Sequence, residues 1–455
     1  MRKNIDMLNG PLGPAIIRFT IPVILTTLLQ TLFNTIDLIV VGQFCGSLKV
    51  AAVTATSSLT SLLISLFTGL SLGAGLTVAR ALGSHQEENV FRAVHTSIPT
   101  AIIGGVFLSI VGAIFTPALL RLMNTPADVL PLASVYIRVY FAGIVFTIVY
   151  NFCAAILRAT GDTKTPLFFL MIAGALKVAL TVFVVAVCKM DVAGVALATV
   201  VSQGVAATLV MLALIRRNDS CKLCLKKMRF YKEPLLNIIK IGVPAGLQTS
   251  LLSIANLTTS IALNSFDSAA ILTGNGACTN LELFTDAIGI GFTQATPNFI
   301  AQNLGARQFD RIKKTYVTCM LYGGLLVFAA CMLMYPFGER LLGLYITDSP
   351  EAITYGLLRM RYILIPGFLI ATMTVSTGAL QGLGHALPAT IITLLTNGAL
   401  RVAWIYTVFA IPKYHTLDCL YIIYSIGWLL TTAIEAPLFF ILLKKRMRVA
   451  FAPTQ

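Results

Sequence analysis

Apolar stretches long enough to cross a bilayer recur twelve times along this chain, and no other feature constrains its fold as tightly. They fall near 14–42, 51–80, 93–116, 132–157, 166–188, 193–215, 236–263, 270–300, 315–337, 352–381, 387–411 and 418–443. A hydrocarbon core about 30 Å thick takes about 20 residues of helix. Backbone polar groups in lipid must be satisfied within the span, which favours helix throughout. Composition agrees. Only 11% of the 455 residues are charged and 57% are apolar, against roughly a quarter charged in soluble domains. So little charge cannot coat a soluble globule, and it excludes a disordered chain or a secreted disulfide scaffold. The expected class is an all-α membrane protein of twelve transmembrane helices. The apolar run after Gly13 is too long for a signal sequence and is expected to be a true first span.

The net charge of +15 is a topology signal. One set of loops holds Arg2, Lys3, Arg80, Arg92, Arg158, Lys164, a basic cluster between Arg216 and Lys232, Arg307, Arg311, Lys313, Lys314 and the Lys444–Arg448 run. The opposite loops hold Lys49, Arg121, Lys189, Arg340 and Lys413. Positive loops stay cytoplasmic. Both termini and the linker are therefore expected inside, in a plasma membrane, with a bacterial inner membrane favoured. The basic loops would touch anionic lipid headgroups, and no nucleic-acid partner is expected. Nine scattered Cys read as small buried apolar residues. Cys221 and Cys224 form a lone CxxC, short of the four ligands of a structural zinc site, and no metal or other cofactor is expected.

The chain also repeats itself. "IIRFTIPVILTTLLQTLFN" at 16–34 lies over "IIKIGVPAGLQTSLLSIAN" at 238–256, and the same shift of 222 lays "ARALGS" at 79–84 over "AQNLGA" at 301–306. Farther on, "GALKVA" at 174–179 meets "GALRVA" at 398–403. We read lobes at 1–215 and 236–455 joined by a cytoplasmic linker at 216–235. Six spans per lobe is an even number, so the copies are parallel repeats related by an axis along the membrane normal. Two pseudo-symmetric six-helix bundles facing each other enclose a central cleft, the architecture of an alternating-access transporter, with a channel as the alternative. One chain already forms that cleft, so a monomer is the expected functional unit.

With this order of elements, the sequence resembles the MATE (multidrug and toxic compound extrusion) transporters, which share a superfamily with lipid-linked oligosaccharide flippases. The resemblance covers nearly the whole chain. "NTIDLIVVG" at 34–42 is similar to the family's first-helix pattern, and "AQNLGA" at 301–306 to its glycine motif after the eighth helix. "LRATGDTKTP" at 157–166 and "GVALATVVSQ" at 194–203 resemble the loop after the fourth helix and the sixth helix. The resemblance implies a cation-coupled antiporter that exports organic cations or amphiphilic metabolites, powered by a proton or sodium gradient.

A charge at the bilayer centre costs roughly 2.5 to 3.5 kcal/mol on insertion scales, so embedded charges are functional candidates. Asp37 is the sharpest. It lies 21 residues past Ile16, roughly 31 Å up a helix, with Asn34 one turn below on the same face. The alternative is a carboxylate snorkelling to the outer headgroups. The resemblance implies that Asp37 takes the coupling proton or helps to bind sodium. Lys177 stands mid-span where the family's sodium pattern has an Asn, and Thr181 where it has an acid. Both departures remove sodium ligands. We expect Lys177 and Asp37 to form an ion pair, a tethered ammonium in place of sodium; the alternative is a Lys facing the cleft.

Arg401 is the repeat-mate of Lys177, and Asn256 that of Asn34. Glu282 and Asp286 share a face of the eighth helix. Glu282 matches an acid found there in many family members, and Arg401 is expected to pair with it. These four form a candidate substrate or polar site of the second lobe, with a structural salt bridge as the alternative. The resembled sodium-coupled branch carries acids in spans seven and ten. Both lack them here, which favours protons over sodium. Pro22 and Pro244 kink the first helix of each lobe and are candidate hinges. The Gly-rich "TGLSLGAG" at 68–75 lies inside a span and reads as a helix-packing surface. Arg138, Arg359, Arg361 and Glu435 read as snorkelling near span ends. His95 reads as interfacial, and no His has a metal-ligand partner. The functional expectation is an exporter. A flippase for a lipid-linked precursor is the alternative, and a membrane enzyme lacks a catalytic constellation.

Overall fold

A computed structural model of the chain describes residues 4–122, 126, 128–347 and 349–450. Arg2 and Lys3, among the topology charges, lie outside the described residues. Every long element is a helix. In the first repeat these are α1 (Leu12–Cys45), α2 (Ser47–Gly83), α3 (Glu87–Leu122), α4 (Leu130–Ala142 continued by Ile144–Ala159), α5 (Lys164–Val182) and α6 (Val192–Ile215). In the second they are α7 (Lys232–Asn264), α8 (Ala269–Gly305), α9 (Phe309–Met334), α10 (Pro350–Leu364 continued by Phe368–Gly382), α11 (Ala386–Thr393 and Leu400–Thr407 around a π-helical turn) and α12 (Leu417–Ala450). Among the described residues, nine helices are long and apolar enough to cross a bilayer, and the two bent helices α4 and α10 raise the number to eleven. The twelfth, α8, falls below that hydropathy because it carries Asn275, Asn280, Glu282, Asp286, Gln294 and Asn298. A span that lines a polar site gives up apolar character. Large apolar side chains such as Phe107, Ile114 and Leu333 stand exposed on α3 and α9, as a lipid-facing surface requires.

The repeat is visible in the backbone. α4 bends by 46° at Gly143 and α10 by 44° around Pro366, equivalent places in the two copies. The helices pack into two units, Leu25–Gly246 with the residues before Met7, and Met7–Ile24 with the residues from Leu247 onward. The first helix of each repeat therefore begins in one unit and ends in the other. The change comes two residues after a proline, Pro22 in α1 and Pro244 in α7. Proline removes one i→i−4 hydrogen bond from each helix at this point.

Glycine makes the early part of α7 fit its unit. A Cβ on Gly69 of α2 would stand 2.2 Å from the Gly246 backbone nitrogen, and one on Gly246 2.6 Å from Leu66 Cα. The "TGLSLGAG" segment is thus a close-packing surface. The linker is also tied down. His95 is fully buried, not interfacial, and its Nε2 accepts the Cys224 N–H at 3.0 Å. Thr96 Oγ1 accepts the Tyr231 N–H at 3.1 Å. Arg217 donates to both Asp219 carboxylate oxygens, at 3.0 and 2.9 Å. Burial would raise the Asp219 pKa, but these bonds and the Arg217 charge outweigh it and hold the carboxyl below its usual range. Burial pushes the neighbouring Cys221 thiol up to about 12, so it is inert near neutral pH.

Candidate functional site

In the first unit, α1 and α5 meet closely because Gly174 has no side chain: a Cβ there would lie 1.8 Å from Phe33 Cε2. Lys177 follows Gly174 by three residues and so shares its face. The approach brings Lys177 Nζ to 2.7 Å from Asp37 Oδ2, with both side chains about nine-tenths buried. Asn34 Oδ1 accepts from Lys177 Nζ at 3.4 Å, and Thr181 Oγ1 donates to Asp37 Oδ1 at 3.3 Å. All four residues singled out in this lobe therefore belong to one network. Val40 and Val41, which follow Asp37 on α1, and Val185, which follows Thr181, belong to an apolar cluster that Ile36 and Tyr136 pack against. Removing two charges from water costs several kcal/mol per ion, which the attraction between them repays only in part. A pair of this kind is weak evidence for stability alone.

The second unit is arranged differently from the expectation. Glu282 pairs with Arg359, not with Arg401. Arg359 Nε reaches Glu282 Oε1 and Nη2 reaches Oε2, both at 2.8 Å, while Nη1 donates to Asn275 Oδ1 at 2.7 Å. The guanidinium also lies over the Tyr421 and Tyr424 rings, at 5.4 and 5.8 Å. Arg359 is therefore buried rather than snorkelling. α10 starts at Pro350, which places Arg359 roughly two and a half turns into the helix. Arg401 donates from Nη1 to Asn256 Oδ1 at 2.5 Å and stacks over Tyr424 at 4.0 Å. Glu282, Arg359, Asn275, Arg401, Asn256, Tyr424 and Asp286 line a cavity of about 340 Å³, walled further by Trp428, Met373 and Ile370. Asn256, Glu282, Asp286 and Arg401 thus share one chamber.

Glu435 also departs from the snorkelling expectation. It lies in the middle of α12 and is 0% exposed. Thr377 Oγ1 donates to its Oε2 at 2.8 Å and Thr393 Oγ1 to its Oε1 at 3.2 Å. The sequence signal was available: Glu435 stands 18 residues past the start of its helix, too deep for a side chain that reaches the interface. Arg138 and Arg361 are exposed, as expected. Among the described residues, no three His, Cys, Asp or Glu side chains are placed to hold a metal ion.

Comparison with known proteins places this arrangement in a family. The MatE family model matches residues 22–183 and 244–407, one match per repeat. The chain is 28% identical over 415 residues to the probable multidrug resistance protein YoeA of Bacillus subtilis (strain 168), covering 88% of this chain and 87% of that one. It is 25% identical over 452 residues to the multidrug export protein MepA of Staphylococcus aureus (strain N315), covering 97% and 96%. Its fold matches a solved outward-facing multidrug resistance MATE family transporter of the MOP superfamily with a TM-score of 0.91 at 21% identity, covering 98% and 99% of the two chains. The relatives are membrane transporters rather than enzymes. With both repeats matched and the whole length covered, this chain belongs to the MatE family of multidrug efflux transporters.

Proposed function

We propose that this protein is a secondary active exporter that moves organic cations or amphiphilic metabolites out of the cell in exchange for protons, by rocking two lobes about Pro22 and Pro244. The single observation that carries the reading is the buried Lys177–Asp37 pair with its Asn34 and Thr181 partners. An ammonium tethered by Lys177 occupies the carboxylate that a sodium ion would otherwise need. Protonating Asp37 would leave Lys177 without its counter-charge in an apolar wall. That is a costly state which a rearrangement of α1 against α5 relieves, and such a bistable element lets ion binding select a conformation. The positive-inside bias supports cytoplasmic termini in a bacterial inner membrane. The full-length match to transporters supports a small-molecule substrate, with the monomer as the working unit.

The test is reconstitution in liposomes with a proton gradient or a sodium gradient imposed separately, and movement of a fluorescent organic cation as the readout. Proton-driven transport that Asp37→Asn abolishes is expected. Transport driven by sodium alone would reject the coupling assignment. No movement of the cation under either gradient would turn the reading toward the lipid-linked flippase.

A further inference from the structure

The two repeats treat their embedded cation differently. In the first, Lys177 has an amide partner, Asn34, and an acid partner, Asp37. In the second, Arg401 keeps the amide, Asn256, at 2.5 Å. The shift of 222 that pairs Asn34 with Asn256 pairs Asp37 with Thr259. Thr259 is shorter and uncharged, and it lines the cavity. The second copy has the cation without the carboxylate.

Arg401 is therefore a charge without an ion pair among the described residues. A guanidinium stays protonated in any protein setting. This one is 4% exposed, and its Nε is buried with no hydrogen-bond partner. Asp286 and Glu282 do not replace Asp37. The charged neighbours of Asp286 are Glu282 and Arg359, Glu282 is held by both arms of Arg359, and the charged neighbour of Arg401 is Arg359, of like sign. A buried polar group is normally satisfied, and a buried charge normally paired. Here Arg401, which carries the unsatisfied donor, lines a cavity within the size range of small-molecule sites, and that cavity offers Trp428, Met373 and Ile370 for an apolar body.

We infer that the second-lobe cavity binds a small amphiphilic carboxylate, whose anionic group meets Arg401 beside Thr259 and takes the place that Asp37 holds beside Lys177. The inference rests on the exporter reading, because it makes this chamber a substrate subsite and names the substrate class: an organic acid or the acid end of a zwitterion. The apolar and aromatic part of the ligand lies against Trp428, and its carboxylate completes the donor set of the guanidinium with a charge-assisted bond.

The probe pair is dansylglycine and its uncharged isostere dansylglycinamide, titrated into the purified full-length protein in detergent. The chain has two Trp, so a Trp404→Phe background leaves Trp428 as the donor for energy transfer to dansyl. A charge-assisted hydrogen bond corresponds to about a tenfold or larger preference for the acid over the amide. Arg401→Gln should bring the two affinities together, and Arg401→Lys should keep part of the preference. Thr259→Asp supplies a carboxylate from the chain and should remove the advantage of the acid while the amide still binds. Equal binding of acid and amide by the protein without an Arg401 change overturns the proposal, and that comparison needs no variant at the site. A preference that survives Arg401→Gln overturns it as well, as does displacement of dansylglycine by chloride at the concentration at which acetate displaces it. The same preparation is run in the liposome assay. Dansylglycine is followed there beside the organic cation: export without carboxylate preference rejects this inference alone, whereas carboxylate preference with no movement of either probe under any gradient rejects the exporter reading alone.

Discussion

Arg359→Gln should be among the most destabilising single changes in the second unit. The substitution removes two 2.8 Å bonds to Glu282 and one 2.7 Å bond to Asn275. It leaves Glu282, whose side chain is 12% exposed, with the Cys278 thiol at 3.4 Å as its near donor. Breaking one partner from a buried pair costs about 3–5 kcal/mol, because the surviving charge stays buried and uncompensated. Glu282 lines the cavity, where water can reach it in part, so the lower end, about 3 kcal/mol, applies. For a unit of this size each kcal/mol moves Tm by about 2–4 °C, so the expected drop is roughly 6–12 °C. The assay is thermal unfolding in detergent, followed by intrinsic fluorescence and by loss of the monodisperse peak. Glu282→Gln combined with Arg359→Gln should regain most of the loss, since replacing a whole buried pair is often close to neutral. A single variant within about 2 °C of wild type would refute the reasoning, and so would a double variant no better than the single.

Two further outcomes follow from the first unit. Gly246→Val should lower Tm through overpacking, by about 1–3 kcal/mol, because even a Cβ would stand 2.6 Å from Leu66 backbone; an unchanged Tm would mean that α2 and α7 are less closely packed. Asp219 should add stability above its unfolded pKa that is lost as pH falls through its lower folded value, an effect limited to about 0–1 kcal/mol by solvent screening. The Tm gap between wild type and Asp219→Asn should therefore be small at neutral pH and close on acidification, and a gap that widens in acid would sink that account.

Much of the fold was legible because spans and repeats are written at long wavelength. Twelve apolar runs set the helices, and a shift of 222 set the copies. The first-lobe pair was legible for a similar reason: Asp37 and Lys177 are isolated charges in apolar runs, and few partners were within reach. The second lobe was harder. Depth judged from a span boundary placed Arg359 and Glu435 near the membrane edges, whereas their helices begin earlier or run longer than the apolar core suggests. Arg359 and Arg401 were then both available, and spacing alone does not decide which guanidinium takes Glu282. The planar fork of Arg359 does so through two parallel bonds, leaving Arg401 to the Asn256 amide. The passage of α1 and α7 between units at their prolines was invisible, because packing partners are not encoded in a single helix pattern.

The most direct test of the central claim is the pH dependence of cation export in liposomes, compared between wild type and Lys177→Asn. If Asp37 exchanges its proton against the Lys177 charge, removing the ammonium should displace the pH profile and weaken proton drive while the protein remains folded and monodisperse. An unchanged profile would contradict the account: Lys177 would then be a passive partner, and the coupling would have to lie elsewhere in the chain.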